Sequence, residues 1–235
     1  ILTFYQVMKK KIKLKTYAKI NLFLKVINKR KDGYHNIISN MIFLDLYDEI
    51  EVSFSKKNFI QYNGKFKPNS NFFDNDIIIK TLKFLNIKQP LKIKINKNIP
   101  TKAGLGSAST NAAGLIKILE KLKLIKKRNI SFYSKIGSDI PAFLYGKDCL
   151  VTGKGNKISK SNYYKKYYCI LVKPNINIST KKMYDNLKII NSRKVNYFKN
   201  IKNLSNSTYL SLVNDFENIA INKYPKIKSL LNYLR

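Results

Sequence analysis

The residues Asn98-Ile99-Pro100-Thr101-Lys102-Ala103-Gly104-Leu105-Gly106-Ser107-Ala108-Ser109-Thr110-Asn111-Ala112-Ala113-Gly114 follow a strictly alternating strand, Leu91-Lys92-Ile93-Lys94-Ile95, and lead into an amphipathic run that ends near Leu124. Alternation at period two reads as a strand with one buried face, and the later spacing reads as a helix. The order is therefore strand, glycine loop, helix. Small residues let such a loop approach an anion closely, and the unpaired N–H groups of the first helical turn offer donors at a positive dipole end. The plain alternative is a tight turn with a Ser/Thr cap. Neither the P-loop pattern nor the dinucleotide fingerprint fits, because no Gly-Lys-Ser/Thr follows and the glycines are differently spaced.

Working outward, residues 12–28 alternate as strand, placing Ile20, Leu22, Leu24 and Val26 on one face and Lys19 and Asn21 on the other. Asp32-Gly33 is a turn signal leading to a second apolar run, Ile37 to Leu46, and Glu49 to Phe54 continues the β pattern. A polar connection over Asn58 to Asn75 precedes a helix over Ile77 to Leu85. In Ile136-Gly137-Ser138-Asp139-Ile140-Pro141-Ala142 a single carboxylate sits among apolar and small residues; its plain reading is a helix N-cap or turn residue before Pro141. Residues 148–153 read as a strand, 156–167 as a Lys/Tyr linker and 168–173 as a further strand, so a domain boundary is expected near residue 160. Asn206–Ile221, with Asn214-Asp215-Phe216-Glu217 inside it, and Tyr224–Leu234 suit two helices.

The 235 residues are 44% hydrophobic and carry a formal net charge of +33. That excludes a wholly disordered polymer and raises the possibility of a nucleic-acid or anionic-membrane partner. The 42 Lys against 4 Arg argue otherwise, since a surface that reads phosphates or bases favours the bidentate fork of Arg. Lys, Asn and Ile together supply 102 residues, all with A/T-rich codons, so the charge is read mainly as mutational bias. One His and two Cys exclude a zinc cluster or a disulfide framework, and Cys149 and Cys169 both read as thiols packed as small hydrophobes. No apolar stretch reaches 18 residues, so a cytoplasmic protein is expected, with no membrane and no specific nucleic-acid partner. Met8 is the expected start, and the basic residues after it read alternatively as a transit peptide.

Four separated blocks, Tyr17-Ala18-Lys19-Ile20-Asn21-Leu22 with Asp32-Gly33-Tyr34-His35, Pro100 to Ala113, Gly137-Ser138-Asp139-Ile140-Pro141, and Asn214-Asp215-Phe216-Glu217, together resemble the 4-diphosphocytidyl-2-C-methyl-D-erythritol kinases of the GHMP kinase superfamily. The resemblance implies an α+β GHMP kinase fold. Residues 8–160 would form an N-terminal domain like ribosomal protein S5 domain 2, and residues 161–235 an incomplete ferredoxin-like C-terminal domain. It implies ATP, with Mg2+ carried on it, as donor, and the 2-hydroxyl of a cytidine diphosphate methylerythritol as acceptor. Lys19 and Asp139 match the catalytic pair, and Pro100, Thr101, Lys102, Ala103, Gly104, Leu105, Gly106, Ser107, Ala108, Ser109 and Thr110 match the ATP phosphate loop. Tyr34 and His35 match the cytidine-recognition pair, Asn21 a substrate contact, and Tyr184 the aromatic on the other face of the cytosine ring. Ser107, Ser109 or Thr110 could give Mg2+ a hydroxyl.

Ala108 stands where this family carries glycine, and the family's third motif, a Gly-Thr/Ser-Gly-Ala loop, is not found before Arg235. An incomplete C-terminal domain is therefore expected to expose an apolar face over 168–173, with poor solubility or association and weak activity. The alternatives are another GHMP kinase acting on a small alcohol, a nucleic-acid-binding protein that uses the +33 charge, and a truncated inactive remnant.

Overall fold

The structure, a computed structural model, describes residues 11–68, 76–162, 166, 168–176, 178, 180–187 and 214–234. Its strands are β1 (Lys11–Lys29), β2 (His35–Phe54), β3 (Phe59–Asn63), β4 (Leu91–Asn96), β5 (Cys149–Gly153) and β6 (Lys157–Lys160). Its α-helices are α1 (Ile77–Phe84), α2 (Ser107–Lys121), α3 (Ile140–Tyr145), α4 (Thr180–Asp185), α5 (Phe216–Lys223) and α6 (Pro225–Leu234), with a 3-10 helix over Ile130–Lys135. β1 pairs with β2. The described residues divide into two compact units: Ile1–Lys19, Phe43–Thr101 and Leu105–Gly146 contribute to the first, and Ile20–Ile42, Lys102–Gly104 and Lys147–Arg235 to the second.

In the first unit β4 lies antiparallel to β2, from Glu49 opposite Asn96 to Phe54 opposite Leu91. β3 runs parallel to β4, so the chain crosses over between them, and α1 lies on that connection. Asp76 starts α1 by accepting the Ile78 N–H at 2.6 Å. The alternation read in the sequence is realised: Leu91, Ile93 and Ile95 are buried, as are Ile50 and Val52 of β2. They pack with Ile78 and with Leu115, Ile118 and Leu119 of α2. Another side of α2 buries Ala112, Ala113 and Ile116 against Tyr133, Ile140 and Phe143. Gly114 permits this close approach, since a Cβ there would meet Thr16 Cγ2 at 2.4 Å and Ile50 Cγ2 at 2.9 Å.

In the second unit β5 pairs antiparallel with the first part of β2, from Ile37 opposite Gly153 to Met41 opposite Cys149, and β6 pairs antiparallel with β5. Phe23 and Leu150 are buried there, with Leu22, Ile27, Ile38 and Ile42 packed around them.

Several local expectations change. The two runs Ile37–Leu46 and Glu49–Phe54 are one continuous strand, because Tyr47 and Asp48 keep the extended backbone. Residues 157–160 form β6 instead of belonging to a linker; β5 supplies the hydrogen-bonding partner that a local reading cannot see. Residues 168–173 are not a strand, and no ladder among the described residues includes them. Tyr168, Ile170, Leu171 and Val172 are exposed, and so is Cys169, whereas Cys149 is buried and its thiol pushed up to about 12, chiefly by burial. α5 begins at Phe216, so Asn214 and Asp215 precede the helix. Residues 163–165, 167 and 206–213 of the expected linker and helix, and the expected start at residue 8, lie outside the described residues.

Gly114→Ala tests the close approach. Alanine favours a helix by about 1 kcal/mol over glycine, while overpacking a tight core costs about 1–3 kcal/mol. With contacts of 2.4 and 2.9 Å to strand side chains, the steric term wins. The variant is expected to lower the denaturant midpoint; a raised midpoint would show that Thr16 and Ile50 yield freely.

Candidate active site

The glycine loop leads into α2 as the sequence implies. Gly106 occupies the N-cap position with φ of +73° and has no side chain with which to cap the helix. The first helical bond runs from Thr110 N–H to Gly106 carbonyl at 2.9 Å, so the N–H groups of Ser107, Ala108 and Ser109 have no acceptor within the helix. Gly104 also has φ of +73°, and a Cβ built there meets nothing within 4 Å. The loop is therefore open at Gly104 and closed beneath Gly106, where a Cβ would meet Phe143 Cζ at 2.3 Å. In the first unit the N–H groups of the first turn of α2 are suited to phosphate oxygens; along the loop Thr101, Lys102 and Gly104 are exposed and Pro100, Ala103 and Leu105 more covered.

Beneath the loop lies a polar cluster absent from the sequence reading. Asp48 is 0% exposed. Its Oδ1 accepts the N–H groups of Asn98 at 2.7 Å and Ile99 at 2.8 Å. Its Oδ2 accepts the Lys97 ammonium, the Asn111 amide at 3.1 Å and the Ser107 hydroxyl at 3.3 Å. Lys97 also donates to Ser107 Oγ, and the Thr16 hydroxyl donates to Asn111 Oδ1 at 2.8 Å. Burial pulls the Lys97 pKa below its ordinary value, with Asp48 opposing. The signal was present in the sequence: residues 48, 50 and 52, and 91, 93, 95 and 97, keep one phase of the alternation, so Asp48 and Lys97 fall on the buried face.

Lys19 and Asp139 come together, as expected from their motifs. Lys19 Nζ lies 3.8 Å from Asp139 Oδ2, the lysine side chain 6% exposed and the aspartate 37%. The Lys19 stem passes Gly106, its Cγ lying 3.3 Å from the position of a Cβ there, and its N–H donates to Leu105 carbonyl at 3.1 Å. Asp139 does occupy the N-cap position of α3, but its carboxylate makes no cap hydrogen bond. The cap reading therefore gives its position and leaves its oxygens uncommitted to the helix. Lys117 donates to Phe143 carbonyl at 2.9 Å, tying α2 to the end of α3.

The remaining expected site residues are in the second unit. Asn21 lies in β1, half-buried. Tyr34 is 55% exposed, with the Lys154 ammonium 4.9 Å from its ring centroid. His35 opens β2, and its ring stacks on Tyr184 with centroids 4.9 Å apart and planes at 18°. Tyr184, which the resemblance places on the other face of the cytosine ring, thus lies beside the expected recognition pair. Burial, and secondarily Lys29, hold the His35 pKa below its ordinary value, while Asp185 opposes them. Among the described residues no three His, Cys, Asp or Glu side chains group to hold a metal ion, and no helix is long and apolar enough to cross a membrane.

Asp48→Asn tests the cluster beneath the loop. Removing one partner of a buried ion pair leaves the other uncompensated, at a cost of about 3–5 kcal/mol. Chemical denaturation should record a loss of that size, and a loss below about 1 kcal/mol would mean that water replaces the carboxylate readily.

The profile described as GHMP kinases N terminal domain matches residues 76–147. The 4-diphosphocytidyl-2-C-methyl-D-erythritol kinase of Francisella philomiragia is 38% identical over 232 residues, covering 94% of this chain and 82% of its own length. The enzyme of that name from Pelagibacter ubique is 37% identical, covering 94% of this chain and 81% of its own. The crystal structure of a 4-(cytidine 5'-diphospho)-2C-methyl-D-erythritol kinase superposes with a TM-score of 0.66 at 19% identity, over 93% of this chain and 81% of that one, and so shares the fold. With the loop, the Lys19–Asp139 pair and these relatives together, the chain belongs to the 4-diphosphocytidyl-2-C-methyl-D-erythritol kinase family of the GHMP kinases.

Proposed function

We propose that the chain transfers the γ-phosphate of ATP to the 2-hydroxyl of 4-diphosphocytidyl-2-C-methyl-D-erythritol, a cytoplasmic step towards isoprenoid precursors by the non-mevalonate route. The observation that carries this reading is a lysine and an aspartate 3.8 Å apart, beside an uncapped, glycine-flanked helix N-terminus. Phosphoryl transfer asks a protein mainly for positioning and for charge neutralisation, with a base for the attacking hydroxyl's proton. The N–H groups of the first turn of α2 are suited to receive phosphate oxygens. Asp139 takes the hydroxyl proton, and the nearby ammonium of Lys19 offsets charge on the transferring group.

Mg2+ is proposed to arrive with ATP and, when bound, to neutralise charge on the phosphates. The donor set fits that arrangement: the Ser107 hydroxyl is held by Lys97 and Asp48 and Thr110 is buried, which leaves Ser109 as the loop hydroxyl for it. In the second unit Tyr34 offers a ring face to the cytosine, His35 a polar edge and Asn21 an amide to the acceptor. Residues 8–160 are proposed as the N-terminal domain and residues 161–235 as the C-terminal domain.

Asp139→Asn preserves shape and removes the base, so kcat should fall about 10²–10⁴-fold with substrate KM little changed. Lys19→Met should also lower kcat; an effect on KM alone would make Lys19 a binding residue. Near-normal turnover of the Asp139 variant would remove it from the chemistry. Parallel assays with mevalonate and homoserine test the acceptor, and phosphorylation of either in preference would overturn it.

Tyr34→Ala should weaken the cytidine substrate by about 1–3 kcal/mol, the range for one base–aromatic stack, and leave ATP affinity alone. An equal loss for ATP would mean that Tyr34 serves the other nucleotide.

A further inference from the structure

The motif Asn214-Asp215-Phe216-Glu217 has no part in phosphoryl transfer as described above. In the second unit it clasps β1. Asp215 N–H donates to Leu24 carbonyl at 2.9 Å, Asp215 Oδ2 accepts the Val26 N–H at 2.8 Å, and Asp215 Oδ1 accepts the Lys25 ammonium at 2.7 Å. Asn214 forms a bridge with Leu24, and its side-chain oxygen accepts the Phe216 N–H at 3.0 Å, which starts α5. Phe216 is thereby held at a fixed point along β1. Its ring meets Tyr184 edge-on, with centroids 4.8 Å apart and planes at 90°. Tyr184 in turn stacks on His35. A line of contacts therefore runs from a backbone clasp through two aromatic rings to the imidazole.

Tyr184 needs that support. It belongs to α4, a helix of six residues, too short to hold itself by its own hydrogen bonds, and Met183 is its buried anchor. We infer that Phe216, fixed by the Asp215 clasp, is a positioning residue for recognition of the acceptor's cytosine: it holds Tyr184 flat against His35 and so sets the plane of the imidazole that meets the base edge. The inference rests on the reading that His35 serves the cytidine end of the acceptor. It makes the motif a determinant of base recognition that never touches the base.

His35 is the only histidine in the chain, so the C–H resonances of one imidazole report directly on this contact. An edge-to-face pair is worth roughly a 2–10-fold change in an equilibrium. Phe216→Ala is expected to raise KM for the cytidine substrate by about that factor, leaving KM for ATP and kcat near normal. Its imidazole resonances should lose the ring-current shift from Tyr184, and the His35 pKa should move back towards 6.5. Phe216→Tyr should restore both signals, Asp215→Asn should move them as Phe216→Ala does, and Phe216→Leu decides the matter if the alanine variant does not fold. Two controls separate the failures. If His35→Ala leaves the cytidine KM unchanged, the reading of the base site falls. If His35→Ala raises it while Phe216→Ala or Phe216→Leu leaves both KM and the imidazole spectrum unchanged, the positioning role falls and the motif is a clasp alone.

Discussion

An aspartate buried from water determines how the first unit is built. Left alone, the Asp48 carboxylate would cost several kcal/mol to desolvate, and it is stable only because donors converge on it from the chain after β4 and from the first turns of α2. Lys97 supplies the opposite charge, and Thr16 of β1 closes the cluster through Asn111. Three strands and one helix therefore share a single fixed point directly below the glycine loop. The loop's shape follows from it, since Asn98 and Ile99 are held at its entry and Ser107 at its exit.

A second Lys–Asp pair in the same unit has the opposite character. Lys97 and Asp48 are both buried and their bonding capacity is spent on the protein. Lys19 is almost as deeply buried, but Asp139 is partly exposed and 3.8 Å away, beyond a hydrogen bond. The same residue types thus stand in two settings: one pair organises the loop, and the other leaves a carboxylate accessible beside it. Among the described lysines, Lys19 and Lys97 are the two that are buried, which separates them from a lysine content that composition alone cannot resolve.

The second unit spends its specific contacts differently. Its apolar cluster around Phe23 and Leu150 is small, and much of its order comes from polar clasps and ring contacts: Asp215 on β1, Phe216 on Tyr184, Tyr184 on His35. Such contacts are directional, so they fix orientation more than they add stability.

Local order was legible along the chain where a short-range rule controls it. The phase of Leu91, Ile93 and Ile95, the glycine loop before α2, and α1 after Asp76 follow from period, left-handed backbone and capping, each settled within a few residues. Lys19 and Asp139 were named through the family resemblance of the blocks that carry them, since the local reading of Asp139 is a helix cap. The rest depended on partners distant in sequence. Residues 157–160 became a strand because β5 lies beside them, while the much more apolar 168–173 did not, having no ladder among the described residues. Nothing local to Asp48 says that its neutralising charge is 49 residues away, and nothing local to Tyr184 says that it stacks on His35. Periodicity and capping are properties of a segment, but burial and pairing are properties of a folded set of segments, and only the tertiary structure decides them.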